Sequence, residues 1–262
     1  MSREKSHLAG MDGMPTPDAT CAYFFDIDGT LLEIGAAPSV VLIDQRMLHL
    51  LAGLLRSAGG AVVLISGRSI ADIDALFSGV RFPAAGQHGA ERRDAAGRLT
   101  LHPFPVERLD AARRAFRGVA SRHAGLLFED KGLSLALHYR QAPRLAPYAH
   151  RLVRSWQQTL GDAFCVQRGK RVVELKPAGK DKGIAVREFM AEAPFVGRTP
   201  IFLGDDVTDE QGFDMVNSMN GYSIKVGPGP TVARFRLRDV DAVHAWLECR
   251  VRAVAPPVRA AS

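Results

Sequence analysis

The most informative segment of the chain is AYFFDIDGTL, residues 22–31. Its first four residues form a short apolar run, which is typical of a strand buried on both faces of a sheet. The run ends abruptly at Asp26, and Asp28 follows two positions later, so two carboxylates stand at the carboxyl end of the predicted strand. Gly29 permits a sharp exit from this strand. Ionised carboxylates in this position can serve as a nucleophile and a proton donor, although a solvated acidic turn would have the same composition.

The same pattern, an apolar run that ends in polar residues, occurs twice more. Residues 61–65 lead into Ser66, and residues 201–203 lead into Gly204 and Asp205. Apolar residues at helical spacing follow the first two of the three runs, and these are Met47, Leu48, Leu50, Leu51, Leu54, Leu55, Ile70, Ile73, Leu76 and Phe77. Strands that alternate with helices predict a doubly wound parallel α/β sheet, in which ligands bind beyond the carboxyl ends of the strands. Asp26, Ser66 and Asp205 are therefore predicted to converge on one crevice.

Between residues 105 and 176 the pattern changes to helical segments that alternate with pairs of strands. Along one predicted strand Leu133, Leu135, Leu137 and Tyr139 face one way, and Ser134, Ala136, His138 and Arg140 face the other. A second hairpin is expected to turn at Gly169, after which Lys170, Val172, Glu174 and Lys176 share a face. We expect residues 105–176 to form an inserted α/β domain with helices on one side of an open sheet. Residues 20–104 and 177–250 would form the core, and residues 1–19 and 251–262 flexible tails.

The composition narrows the class of protein and of partner. With 262 residues and 47% hydrophobic residues, the chain can bury a substantial core. The net charge of +6 suits an anionic ligand, but the basic residues near the end of the chain lack a recognition motif or an aromatic stacking pattern, so no nucleic-acid partner is expected. Three widely spaced cysteines indicate neither a disulfide framework nor a zinc site. This cysteine usage fits a reducing cytoplasm, and no signal peptide or membrane span is recognised. We expect a cytoplasmic protein that binds a small molecule, and we expect it to be a monomer.

Three of the motifs resemble those of the haloacid dehalogenase (HAD) superfamily. The DIDGT segment is similar to its first motif, which implies that Asp26 is the nucleophile and Asp28 the general acid and base. Ser66-Gly67-Arg68 resembles the second motif, whose hydroxyl and amides hold phosphoryl oxygens, although Ser-Gly is equally a helix cap and turn. Lys182 opens a predicted helix with Ile184, Val186 and Phe189 on its buried side, and it resembles the lysine of the third motif. Lys180 is the competing candidate, and a plain surface lysine is the alternative for both.

The acidic segment GDDVTDE, residues 204–210, resembles the fourth motif. Its carboxylates repel one another unless a cation neutralises them, and Mg²⁺ suits a site of few carboxylates plus a substrate phosphate. An acidic helix N-terminus would explain Asp209 and Glu210, but not a Gly-Asp pair directly after a strand. The resemblance implies a magnesium site formed by Asp26, the backbone carbonyl of Asp28 and Asp205, with Asp206 and Asp209 supporting the loop.

Within this superfamily, several segments are similar to the trehalose-6-phosphate phosphatase family. They are GQHGAE (86–91), EDKG (129–132), LHYR (137–140), GKRVVE (169–174) and PAGKDKG (177–183). The resemblance covers roughly residues 20–248 and implies a C2-type cap over a HAD core. It also implies that the small molecule is a sugar phosphate, and that trehalose 6-phosphate is hydrolysed with Mg²⁺ through an aspartyl phosphate, the last step of trehalose biosynthesis. The substrate-binding residues that it implies are Gly67, Arg68, Gln87, His88, Gly89, Glu129, Lys131, Arg140, Lys170 and Glu174.

Two other functions stay open at this point. Another capped sugar phosphatase, acting on sucrose 6-phosphate or mannosyl-3-phosphoglycerate, would share Asp26, Asp28, Lys182 and Asp205 but differ in the cap. A non-catalytic sugar-phosphate-binding protein would have no need of both Asp26 and Asp28. Each charged residue of the cap could also be an ordinary solvated strand residue, and it is their shared face that favours a binding role.

Overall fold

The computed structural model describes residues 14, 20–33, 43–77 and 80–254. The expected N-terminal tail, residues 1–19, lies outside these ranges except for Met14, which is buried against the main core. Of the expected C-terminal tail, residues 251–254 continue the last helix and the remainder lies outside the described residues. In the ranges above, no helix combines the length and the apolar character that crossing a membrane requires.

Two sheets and their helices make up the described part of the chain. The strands are β1 Cys21–Phe25, β2 Val62–Ile65, β3 Ala84–Gly86, β4 Glu91–Arg93, β5 Leu99–Leu101, β6 Leu127–Asp130, β7 Leu135–His138, β8 Phe164–Gly169, β9 Val172–Pro177, β10 Thr199–Gly204, β11 Tyr222–Val226 and β12 Phe235–Leu237. The α-helices are α1 Gln45–Ser57, α2 Ile70–Leu76, α3 Leu109–Ala120, α4 Ala146–Leu160, α5 Lys182–Met190, α6 Glu210–Ser218 and α7 Val240–Val254.

The large sheet has the strand order β12-β11-β10-β1-β2-β3-β4-β5. The strands from β12 to β3 are parallel, and β4 and β5 extend the sheet as antiparallel strands. The three apolar runs of the sequence form β1, β2 and β10, which are neighbours at the centre of the sheet. All residues of β1 and β2 are buried, as their apolar composition predicts. The predicted mixed α/β fold with a doubly wound parallel sheet is confirmed.

Helix boundaries follow ordinary capping chemistry. Asp44 accepts a hydrogen bond from the backbone N–H of Met47 and so begins α1, and Ser69 does the same for Asp72 at the start of α2. α1 buries the predicted residues Met47, Leu51 and Leu54. Because Ser69 caps α2 only four residues after the end of β2, the chain turns sharply there. The residues between β2 and α2 therefore lie at the carboxyl end of the central strands.

The small sheet has the order β6-β7-β9-β8 and is antiparallel throughout. Leu135, Leu137, Val173 and Leu175 lie in one hydrophobic cluster with α3 and α4, so one face is covered by helices as predicted. The second hairpin differs from the prediction. Gly169 is the last residue of β8 and pairs with Val172, while Lys170 and Arg171 form the turn. Arg171 has a positive φ (68°), and the outgoing strand begins at Val172 and not at Lys170.

Candidate active site

Three strand ends bring the predicted motifs together. Asp26 follows β1, Ser66 follows β2 and Asp205 follows β10, and these strands are adjacent and parallel. All three residues line one cavity of about 540 Å³. The small sheet forms the opposite wall of this cavity, which therefore lies between the two sheets.

Lys182 is the lysine that reaches Asp26. Asp181 caps α5 by accepting a hydrogen bond from the N–H of Ile184, which places Lys182 in the first turn. Its Nζ donates to Asp26 Oδ1 and to Asp209 Oδ1, each at 2.6 Å. Lys180, the competing candidate, pairs with Glu188.

The inward face of α5 differs slightly from the prediction. Val186 and Phe189 are buried as expected, whereas Ile184 is half-buried and Ala185 takes its place against the core. Because Lys182 and Gly183 are also buried, the first turn of the helix lies closer to the sheet than its apolar spacing indicates.

The acidic loop after β10 is held by its own side chains. Asp209 Oδ2 accepts from the backbone N–H groups of Asp205 (3.0 Å) and Asp206 (2.9 Å), and Asp209 Oδ1 accepts from Lys182. Asp206 and Asp209 form a reciprocal capping box around the short turn that they span. Both oxygens of Asp209 are thus engaged, and its side chain is fully buried. Glu210 turns away and accepts from the N–H of Val232.

Three carboxylates crowd together at this point. One oxygen each from Asp26, Asp205 and Asp209 lie within 4.8 Å of one another. Gly29 makes this approach possible, because a Cβ at that position would lie 2.2 Å from Asp205 Oδ2 and its φ is +90°. On the other side, Lys225 of β11 donates to the backbone carbonyl of Asp205.

Burial and mutual repulsion set the protonation of the cluster. Burial raises the pKa of Asp26 by more than Lys182 lowers it, and the charges of Asp209 and Asp205 add to the increase. Burial and the nearby Asp209 also raise the pKa of Asp205 to about 7. Burial would lower the pKa of Lys182, but Asp209 and Asp26 outweigh it and raise that pKa. The single ammonium does not neutralise three carboxylates, and their oxygen donors fit a hard divalent cation.

Asp28 has a different partner from Asp26. Arg68 Nε donates to Asp28 Oδ2 at 2.7 Å, and Arg68 Nη2 donates to Asp28 Oδ1 at 2.6 Å. This bidentate pair lines the cavity on the α2 side. The two strand-end carboxylates are therefore held by separate cations, Lys182 for Asp26 and Arg68 for Asp28.

Ser66 and Gly67 lie beside a buried histidine. Ser66 Oγ accepts from the N–H of Arg68 at 3.2 Å, which holds the turn between β2 and α2. A Cβ on Gly67 would lie 2.9 Å from His88 Nε2, so the imidazole packs directly on this glycine. Burial lowers the pKa of His88 more than its contact with Glu174 raises it, which favours a neutral ring at neutral pH.

The small-sheet end of the cavity is lined by charged side chains from three strands. Glu129 accepts from His138 Nε2 at 2.6 Å, and Lys131 Nζ donates to Glu174 Oε2 at 3.2 Å. Burial would raise the pKa of Glu174, but Lys131 and hydrogen bonds from His88 and Ser134 hold it well below its usual range. Burial would lower the pKa of Lys131, but Glu174 and Glu129 raise it. Glu129, Lys131 and Glu174 therefore present oriented charges to the cavity.

The structure brings most of the predicted site residues to this cavity, and three lie outside its lining. Those that line it are Asp26, Asp28, Ser66, Gly67, Arg68, His88, Glu129, Lys131, Arg140, Lys170, Glu174, Lys182, Asp205 and Asp206. Lys170 lies near the acidic loop, with its Nζ 3.8 Å from Asp205 Oδ2, and not at the far end of the cavity. Gln87 and Asp209 are buried behind the wall, and Gly89 packs against the backbone of Asp181.

The predicted site residues do not include Ser134, His138 or Lys225. Ser134 and His138 were assigned to the polar face of their strand, and that alternation is the signal that could have identified them. Lys225 lies in the fully packed strand β11 and no local pattern distinguishes it. Its contact with the Asp205 carbonyl arises from the pairing of β10 and β11.

Comparison with known sequences identifies the family. Residues 24–241 match the family described as trehalose-phosphatase. The chain is 46% identical over 242 residues to a trehalose-6-phosphate phosphatase of Escherichia coli (strain K12), a match that covers 89% of this chain and 88% of that protein. It is 41% identical over 226 residues to a probable trehalose-phosphate phosphatase of Sinorhizobium fredii, covering 86% and 84%.

Solved structures agree with this result at the level of the fold. A trehalose-6-phosphate phosphatase related protein superposes with a TM-score of 0.76 at 26% identity, covering 88% of this chain and 97% of that one. A phosphatase of the HAD enzyme superfamily from Bacteroides thetaiotaomicron superposes with a TM-score of 0.60 at 15% identity, covering 92% and 98%. The matched segment includes every residue that lines the cavity, and the relatives align along most of their length. The chain therefore belongs to the trehalose-phosphatase family of phosphoric monoester hydrolases.

Proposed function

We propose that the protein hydrolyses trehalose 6-phosphate to trehalose and phosphate by transferring the phosphoryl group to Asp26. The observation that carries this proposal is one cavity with two chemically different ends. One end has Asp26, Asp28, Ser66 and Lys182, and the other has the charged residues of the small sheet. Such a cavity suits a phosphate ester of a polyhydroxylated leaving group, because charged groups that hydrogen-bond hydroxyls discriminate strongly against molecules that lack them.

In the proposed mechanism the two aspartates have separate tasks. Asp26 attacks the phosphorus and forms an acyl phosphate, which splits one slow hydrolysis into two easier steps. Asp28 protonates the sugar oxygen as it leaves and then takes a proton from the water that attacks the acyl phosphate. Lys182, which already contacts Asp26 Oδ1, stabilises the charge that develops during both transfers. Ser66 and the amides that follow it hold the phosphoryl oxygens.

We propose that Asp26, the backbone carbonyl of Asp28 and Asp205 bind Mg²⁺, with Asp206 and Asp209 supporting the loop. The donor set supports this assignment, since the oxygens are hard ligands, and burial together with the charges of neighbouring carboxylates raises the pKa of Asp26 and of Asp205. Bound Mg²⁺ would supply positive charge next to the nucleophile and the phosphoryl oxygens. Asp209 is better suited to support than to ligation because both of its oxygens already accept hydrogen bonds.

The small sheet and its helices are proposed to be the cap, residues 105–176, that selects the sugar. Glu129, Lys131 and Arg140 line the cavity on this side, away from Asp26. The pair Glu129–His138 and the pair Lys131–Glu174 fix the orientation of these groups before a sugar arrives. Binding energy gained here would be available to orient the phosphate end.

A phosphate-release assay tests the proposal. Trehalose 6-phosphate, sucrose 6-phosphate and mannosyl-3-phosphoglycerate are compared after exhaustive treatment with EDTA and again after Mg²⁺ is added. We expect fastest release from trehalose 6-phosphate, none after chelation and recovery with Mg²⁺, with Asp26→Asn as the inactive control. Preference for another sugar phosphate would contradict the substrate assignment. Full turnover after chelation would contradict the magnesium assignment, and binding without release would favour a sensor.

A further inference from the structure

A strained turn, residues 87–89, lies behind the cavity wall and contacts residues at both ends of the cavity. Gln87 and His88 both have positive φ angles, 45° and 58°, although neither is glycine, and Gly89 follows at 96°. Such backbone conformations persist only where the surroundings fix them. Here the N–H of Gln87 donates to the Arg68 carbonyl at 2.8 Å, and the N–H of His88 donates to the Ser66 carbonyl at 3.0 Å. The turn is therefore attached through its backbone to residues 66–68, which we name the Ser66 loop.

The side chain of Gln87 continues this connection in two directions. Its Nε2 donates to Glu91 Oε1, and Glu91 Oε2 accepts from the N–H of Ile70 at 2.7 Å, just beyond the Ser66 loop. Its Oε1 lies 3.2 Å from Ser134 Oγ, whose single hydroxyl proton is shared between Gln87 Oε1 and Glu174 Oε1 in a three-centre hydrogen bond. An unbroken series of hydrogen bonds thus runs from the start of α2 to a carboxylate of the small sheet.

The position of this series separates it from substrate binding. Gln87 and Ser134 are completely buried and neither lines the cavity, whereas Glu174 at the end of the series does. His88 provides a parallel connection, because its ring packs on Gly67 while its Nε2 lies 3.4 Å from Glu174 Oε2. Buried polar groups that hydrogen-bond one another rigidify their surroundings, so we expect a displacement at one end of this series to reach the other.

We propose that Gln87 and Ser134 are positioning residues that tie the Ser66 loop to Glu174 and so couple the geometry of the phosphate end to that of the sugar end. This inference rests on the proposed function, since it takes the Ser66 loop as the phosphate site. It also assigns Gln87 a role other than the substrate binding expected from the sequence. The tie acts on the Ser66 loop whether or not a sugar is bound.

Two substrates distinguish this role from simple sugar binding. Under the proposed function, trehalose 6-phosphate occupies both ends of the cavity, whereas p-nitrophenyl phosphate has no sugar to reach the small sheet. Because hydrogen bonds to a buried carboxylate are strong, we expect Ser134→Ala and Gln87→Met each to lower kcat/KM for both substrates, about 10-fold or more. Because the two residues belong to one series, their effects should not add. The kcat/KM of the double variant should lie within about twofold of that of the less active single variant. Ser121→Ala, an exposed serine that also lies within residues 105–176, is the matched control and should change neither value.

The aryl substrate decides the outcome. Turnover of p-nitrophenyl phosphate within about twofold of the wild type by both single variants would overturn the proposal, as would losses that multiply in the double variant. Thermal unfolding is measured in parallel, and Ser134→Thr, which keeps the hydroxyl, should restore activity. If Ser134→Ala does not fold, Gln87→Met alone is tested with the aryl substrate. A loss of turnover would then support the proposal, and turnover within about twofold of the wild type would overturn it. A wild-type protein that cleaves the aryl phosphate but not trehalose 6-phosphate would contradict the proposed function and leave this test valid.

Discussion

Replacing Asp28 with asparagine should separate the two chemical steps of the proposed reaction. The substitution leaves the nucleophile intact, because Asp26 is held by Lys182 and Asp28 by Arg68. A sugar alkoxide needs a proton as it leaves, whereas p-nitrophenolate does not. We therefore expect the Asp28→Asn variant to keep the first step with p-nitrophenyl phosphate and to lose it with trehalose 6-phosphate. The second step should slow with both substrates, because the same carboxylate activates water.

The size of each effect follows from the surroundings of Asp28. Loss of a positioned proton donor lowers the rate by about 10²–10⁴-fold, which corresponds to about 3–5 kcal/mol in activation free energy. Asparagine also loses one of the two charge-assisted hydrogen bonds from Arg68. Because the Asp28 side chain is 35% exposed, this pair contributes on the order of 1 kcal/mol or less to the free energy of unfolding. The variant should therefore be nearly as stable as the wild type while losing most of its activity.

Rapid-quench kinetics with the aryl substrate measure the separation of the steps. The Asp28→Asn variant should release a burst of p-nitrophenol and then turn over slowly, and mass spectrometry of the intact protein should find phosphate retained on it. Asp26→Asn is the control that should give neither burst nor retained phosphate. Arg68→Ala keeps both carboxylates, so it should accumulate no phosphoprotein. If Asp26→Asn and Asp28→Asn lose both substrates equally and neither retains phosphate, the assignment of separate roles is wrong.

Two further predictions concern the small sheet. Glu129→Ala should lower kcat/KM for trehalose 6-phosphate about 10-fold or more and leave p-nitrophenyl phosphate nearly unchanged, because only the sugar reaches that end of the cavity. Asp130→Ala, its neighbour that pairs with Arg113, is the control, and equal losses on both substrates would show that Glu129 is structural. The pKa of Glu174 lies well below its ordinary value of 4.5, so its ionised form stabilises the fold above about pH 4.5 and this contribution declines as the pH falls. The free energy of unfolding in urea should therefore differ between the wild type and Glu174→Gln, most strongly near pH 7 and less below about pH 4.5. A difference that does not change with pH would contradict the lowered pKa of Glu174.

The central strands could be predicted because their apolar composition indicates burial. Each of β1, β2 and β10 is an apolar run long enough to be buried on both faces. The strands β3 and β4 carry no such signal, since their sequences are AAG and ERR. They are strands because Ala84 pairs with Leu64 of β2 and Arg93 pairs with Ala84. Tertiary pairing, and not local preference, determines these elements.

The core of the site could be predicted for a related reason. Asp26, Ser66 and Asp205 stand at the ends of predictable strands, and a parallel sheet brings such ends together. Strand alternation places Ser134 on the polar face, but its contacts could not be predicted, because its partners Gln87 and Glu174 are 47 and 40 residues away in the sequence. The backbone turn at Gln87 was equally hidden, since a positive φ in a glutamine depends on contacts with the Ser66 loop.

The proposed requirement for a cation can be argued from the charges that this chain brings together. Lys182 is shared between Asp26 and Asp209, so it cannot also balance Asp205. Lys170 lies 3.8 Å from Asp205 but is largely exposed, where water screens its charge. Lys225 is buried, but its Nζ is bound to the backbone carbonyl of Asp205 and so fixes the position of the residue more than the charge of its carboxylate. A phosphate ester would add further negative charge to this cluster. Among the groups that the structure describes here, the lysines orient the carboxylates without neutralising them, and a divalent cation between Asp26 and Asp205 would let both stay ionised when the substrate binds.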